Sequence, residues 1–125
     1  MLGLIALLFI AATPAKKGKP VYVFGVSTSF ADSIVYFTTV HALDDVVLEK
    51  KGLLPDRELY SYQLKNFVEI MKERPHQTSM IYFSTKKSKL EKEAAKVKKK
   101  MLKNKSKKPI YIGEDEFVFS KPELE

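Results

Sequence analysis

Ser27, His41, Asp44 and Asp45 are the residue types that could together perform acyl-transfer chemistry: a hydroxyl nucleophile, an imidazole base and a carboxylate to orient it. Ser27 stands in Gly25-Val26-Ser27-Thr28-Ser29, directly after a strand-like run. Hydrolase serines often occupy such a place, but their turn needs a glycine two residues after the serine, and Ser29 is there instead. His41 with Asp44 and Asp45 could also begin a metal site. The second of the two histidines, His76, sits beside Pro75, so the ligand set for zinc is poor. Glu114-Asp115-Glu116 lacks the spaced oxygen ligands and distal acid of a calcium loop and reads as a solvated turn. Asn104-Lys105-Ser106 and Asp32-Ser33-Ile34 fit three-residue acceptor patterns for glycosylation at Asn104 and Ser33. The residues thus predict no catalytic group, no cofactor and no metal.

Anion binding is a different chemistry, and it is concentrated in one place. Residues 86–108 hold twelve lysines against Glu91 and Glu93, although the whole chain has a formal charge of only +7. Lys92, Lys96, Lys99 and Lys103 recur at helical spacing and form a candidate anion-binding face. The stretch contains no arginine for bidentate phosphate contacts and no aromatic residue for base stacking. Specific nucleic-acid recognition is therefore not expected. A diffuse anionic polymer and a merely solvated helix face both remain compatible with the composition.

These residues need elements to position them. Val21 to Val26 is β-branched or aromatic almost throughout, a strand buried on both faces, and Ile34 to Val40 is a second strand joined to it as a hairpin. His41 to Pro55 has no clean period and at most a short strand at Val46 to Leu48. After Asp56, a candidate N-cap, the apolar positions Tyr60, Leu64, Phe67, Val68 and Met71 predict a helix. Met80 to Phe83 predicts a strand, and Leu90, Ala94, Val97 and Met101 predict a second helix, with Ser88 and Glu91 spaced as a capping box. Ile110 to Ile112 and Phe117 to Phe119 supply a last strand, bent at Gly113. The expected fold is α+β: a single-domain two-layer sandwich of order β-β-α-β-α-β, with a mixed sheet and both helices on one face. The final βαβ unit should have parallel strands.

Residues 1–15 predict a signal peptide, because the apolar run Leu2 to Ala12 is followed by Thr13-Pro14-Ala15. Eleven apolar residues are too few to span a bilayer, where roughly 20 are needed. Cleavage is expected after Ala15, or after Ala12, leaving residues 16–125 as one domain, periplasmic or extracellular and not integral to the membrane. The absence of cysteine excludes a disulfide scaffold. Over Phe24-Gly25-Val26-Ser27-Thr28-Ser29-Phe30-Ala31-Asp32-Ser33-Ile34-Val35-Tyr36-Phe37-Thr38 and Tyr60-Ser61-Tyr62-Gln63-Leu64-Lys65, the chain resembles small exported proteins of unknown function from anaerobic Gram-negative bacteria. That resemblance implies export and transfers no activity.

Three functional classes follow. The first is a non-enzymatic interaction module whose partner is another envelope component. The second binds anionic or glycan polymers such as lipopolysaccharide or peptidoglycan through the lysine-rich second helix. The third is a small serine hydrolase using Ser27, His41 and Asp44 or Asp45.

Overall fold

A computed structural model describes residues 20–122. The predicted signal peptide lies outside the described residues. The element order is β1 (Val21–Thr28), β2 (Ile34–Phe37), β3 (His41–Leu43), α1 (Arg57–Met71), β4 (Thr78–Ser84), α2 (Lys87–Met101) and β5 (Lys108–Tyr111). These elements make an α+β domain around one mixed sheet.

β1 is the central strand. β4 pairs antiparallel along one side of it, in unbroken register from Tyr22↔Ser84 to Thr28↔Thr78. Its other side is shared: β2 pairs with the second half of β1 (Val26↔Phe37) and β3 with the first half (Val23↔His41). Between those two pairs, Phe24 and Gly25 face Thr38, Thr39 and Val40. The extra residue is a β-bulge. Thr38 holds it closed: its N–H donates to the Gly25 carbonyl at 2.9 Å, and its Oγ1 accepts the Gly25 N–H at 2.8 Å. Side chains alternate strictly along a strand, so the inserted residue reverses which face later side chains occupy. Phe37 packs on one side of the sheet, whereas His41 and Leu43 turn to the other.

The expected strand at Val46 to Leu48 is absent and β3 stands earlier, at His41–Leu43. β5 pairs parallel with β2. Because β2 and β4 both run antiparallel to β1, β4 and β5 are parallel to each other, as expected of the final βαβ unit.

The two helices pack on opposite faces of the sheet, which corrects the expected two-layer arrangement with both on one face. Val21, Val23, Tyr36 and Ile81 form one core with Tyr60, Leu64 and Val68 of α1. Phe24, Val26, Val35 and Phe37 form a second core with Leu90 and Ala94 of α2. The physical reason is visible in β1 itself. From Val21 to Val26 its odd and even positions both carry apolar residues, nearly all of them buried, and a strand that is dry on both sides must be covered on both.

Helix phase and caps also differ from expectation. α1 buries Tyr60, Leu64 and Val68, while Phe67 is half-buried and Met71 is exposed. Asp56 does sit at the N-cap, but in the left-handed region (φ 57°) and without a side-chain capping bond. α2 starts at Lys87, so Ser88 lies inside its first turn and no Ser88–Glu91 capping box forms; the Ser84 hydroxyl instead accepts the Lys86 N–H at 3.0 Å.

Phe117 to Phe119 is not a strand. After β5 the chain crosses to the α1 side, where Ile112 and Phe119 enter the core and Phe117 packs on Phe67. Gln63 pairs with the Ser120 main chain, accepting from its N–H at 3.1 Å and donating to its carbonyl at 2.7 Å. Lys72 bonds Glu116 at 2.7 Å.

Candidate functional site

Ser27 and His41 do not converge. Ser27 lies in the interior of β1, opposite Tyr36 and Ser79, fully buried. Its Oγ donates to Gln77 Oε1 at 2.6 Å and accepts from the Ser79 hydroxyl at 3.0 Å. His41 is placed by the bulge beside Val23, toward the other end of β1. Its Nε2 accepts the Phe119 N–H at 3.0 Å, which leaves the ring proton on Nδ1, where the Thr39 carbonyl lies at 3.2 Å and the Thr39 Oγ1 at 3.0 Å. Burial pushes the His41 pKa down, against the raising effects of the Thr39 carbonyl and the Glu114 carboxylate. Asp44 and Asp45 are exposed and bond neither residue. The imidazole thus fastens the segment after β5 to the core instead of activating a nucleophile.

Among the described residues, no group of three or more His, Asp or Glu side chains gathers as a metal site. Glu114, Asp115 and Glu116 form a turn closed by main-chain bonds to the Gly113 carbonyl. The Lys72 ammonium and a backbone bond hold the Glu116 carboxyl below its usual range. Of the two glycan acceptor candidates, Asn104 is exposed and uses its side-chain oxygen to accept from the Ser106 N–H and hydroxyl. Ser33 is half-buried at the β1–β2 turn, and its carbonyl accepts the Lys108 N–H.

The lysine helix is ordered into two faces. Leu90 and Ala94 are buried, and Lys92, Lys96 and Lys99 are exposed on the side of α2 turned away from the sheet; Lys103, expected on the same helical stripe, is exposed but stands two residues past the end of the helix. None of the four belongs to an ion pair among the described residues. Three of them, Lys96, Lys99 and Lys103, border an open groove of about 610 Å3 together with Lys100 and Leu102.

Lys98 behaves differently from its neighbours. Its Nζ lies 5.6 Å from the ring centre of Phe24, 6.0 Å from Phe37 and 5.4 Å from Tyr111. Those rings belong to a row that crosses four of the five strands: Tyr82 of β4, Phe24 of β1, Phe37 of β2 and Tyr111 of β5, with successive centroids 6.0, 6.4 and 5.6 Å apart. Tyr111, at the end of the row, is 58% exposed. Aromatic groups therefore adjoin one lysine of this segment, Lys98, and they are supplied by strands and not by the lysine-rich segment. The available signal was the even-numbered aromatics of β1 and β4, which must share one face of the sheet.

A second groove, of about 510 Å3, lies where β4 faces the start of α1. Leu53, Leu54, Met80 and Ile81 supply its apolar lining, and Glu49, Asp56, Arg57 and Glu58 its charges.

No protein-family model, curated protein or solved structure matches the chain.

Proposed function

We propose that the protein is a non-enzymatic interaction module, exported to the periplasm or the cell exterior, where it engages another component of the envelope. The observation that carries this reading is the use made of the two most reactive side-chain candidates. Ser27 and His41 are both buried and hydrogen-bonded within the fold, toward different ends of β1, while the surface offers grooves and an exposed face of like charges. Export is supported by the apolar run Leu2 to Ala12 and the small residues that follow it. Expression of the full chain in a Gram-negative host, followed by fractionation and N-terminal sequencing, tests it. The expected result is envelope or secreted protein beginning near Lys16; cytoplasmic protein retaining Met1 overturns the export reading.

A second reading, binding of an anionic or glycan polymer such as lipopolysaccharide or peptidoglycan, is favoured by the exposed stripe Lys92, Lys96, Lys99 and Lys103. Like charges three or four residues apart on a helix repel by a few tenths of a kcal/mol each, and a polyanion would relieve that repulsion. Replacing all four lysines with Gln is expected to leave stability within about 0.5 kcal/mol, because exposed charges contribute little. Retention on heparin or lipopolysaccharide should weaken. Log K should fall linearly with log salt, with a shallower slope in the variant because fewer counterions are displaced. Unchanged retention and slope would mean that the face is only solvated.

A further inference from the structure

Two of the strands at the margins of the sheet, β5 and β4, are built differently. β5 opens on Lys108-Pro109, directly after Lys107, and lysine and proline are residue types that discourage a strand edge from pairing further. β4 reads Thr78-Ser79-Met80-Ile81-Tyr82-Phe83-Ser84, with neither charge nor proline, and it pairs with β1 without a bulge.

The direction of β4's main-chain groups follows from the bonds of β1. Gly25 turns both its N–H and its C=O toward Thr38. In an antiparallel ladder successive residues bond to alternate sides. Tyr22, Phe24, Val26 and Thr28 therefore bond toward β4, to Ser84, Tyr82, Met80 and Thr78. Ser79, Ile81 and Phe83 aim their N–H and C=O groups away from β1. Among the described residues, no backbone hydrogen bond outside the sheet ladder engages them.

This open edge borders the 510 Å3 groove, into which Ser79, Met80 and Ile81 all contribute. Across the groove stand the Glu49–Leu54 loop and the first turns of α1. Three carboxylates, those of Glu49, Asp56 and Glu58, surround it against the single guanidinium of Arg57, so its charge complements a cation. We infer that β4 is a receptor edge for an extended peptide segment of a partner protein. The segment adds as a further strand beside Ser79 to Phe83, with apolar and basic side chains seated alternately in the groove. In such strand addition the main-chain bonds supply affinity and the side-chain recesses supply selectivity. The inference rests on the interaction-module reading and names the partner chemistry for it.

The test uses the intact protein, labelled with 15N, and the capped octapeptide Thr-Val-Thr-Lys-Thr-Val-Thr-Lys, whose Val and Lys side chains share one face of a strand. Saturating peptide is expected to slow amide exchange at Ser79, Ile81 and Phe83 at least tenfold. Replacing both peptide lysines with Glu should weaken binding at least tenfold. N-methylation of one alternate set of peptide residues should abolish binding, and methylation of the other set should leave it within about threefold, because only one set faces β4. Equal effects of the two methylated sets, or unchanged exchange at those three amides, would overturn the inference. Protection of the same amides in a concentration-dependent dimer, seen by sedimentation, would overturn it in favour of a second copy of the chain. If the peptide fails while the protein still binds an envelope polymer, the edge proposal alone falls. Turnover of ester substrates would instead remove the interaction-module reading on which it rests.

Discussion

Truncating Phe119 to Ala is expected to destabilise the domain by about 3 to 5 kcal/mol, the range for a large aromatic removed from a packed core. Phe119 belongs to no helix or strand, yet it is only 3% exposed. Its ring meets Phe117 edge-on at 5.0 Å and Tyr60 at 6.4 Å, and stacks on His41 at 5.7 Å. It also fills the space above Gly25: a Cβ there would stand 2.7 Å from Phe119 Cζ and 2.8 Å from Leu64 Cδ2, so the absent side chain of Gly25 is what lets the ring approach β1. Urea unfolding followed by circular dichroism measures the loss. A change under about 1 kcal/mol would show that the segment after β5 lies on the core without being part of it.

Replacing His41 with Leu is the companion experiment, and its effect depends on pH. At neutral pH the variant should lose about 1 to 3 kcal/mol, because the buried Phe119 N–H loses its acceptor. The wild-type protein should also weaken on acidification in a way that the variant does not. The folded His41 pKa lies below its ordinary value of 6.5. Between those two values the unfolded state binds more protons, so stability falls as pH drops through that window and His41 contributes no further change below the folded value. Protonation would also remove the lone pair that accepts from Phe119, and Glu114, the carboxylate that acts on the ring, only partly offsets this. Urea midpoints measured at several pH values across and below 6.5 compare the two proteins. Parallel acid dependence in both would show that His41 is not the titrating group.

The long apolar runs and the helical periods were legible in the sequence because each is set locally, by residues that fit a pleated or helical surface. β1, β2, β4 and both helices were expected close to where they stand. The arrangement of layers was less accessible, although one clue was present: a strand with apolar residues at odd and even positions alike, as from Val21 to Phe24, cannot leave one face uncovered. The bulge at Thr38 to Val40 has no local signature in residue type, because it is fixed by the Thr38 side chain bonding to a strand thirteen residues away. Consequently the role of His41 was hidden. A one-residue insertion decides which face the imidazole joins, and its partner, Phe119, is 78 residues distant. Met71 shows the limit of periodicity: it follows the apolar spacing of α1, yet it lies at the last position of the helix and is 67% exposed. Lys92, Lys96 and Lys99 follow the helical spacing onto the exposed side of α2, whereas Lys103 lies beyond the last residue of the helix, Met101. The aromatic row beneath Lys98 was missed because its members come from four separate strands.

The central position of β1 also governs when the domain can form. A growing polypeptide that has emerged only through α1 offers β1 its hairpin neighbours, β2 and β3, but leaves its other side without β4 and its α2 face bare. Closure on that face awaits residues near 94, and closure on the opposite face awaits Phe119, nearly a hundred positions beyond the strand it covers. Contacts of such long sequence separation are gained only after most of the loop-closure entropy has been lost, which makes assembly slow relative to helical proteins of similar size. The apolar side chains of β1 therefore stay uncovered on the growing chain until those late residues have been synthesised.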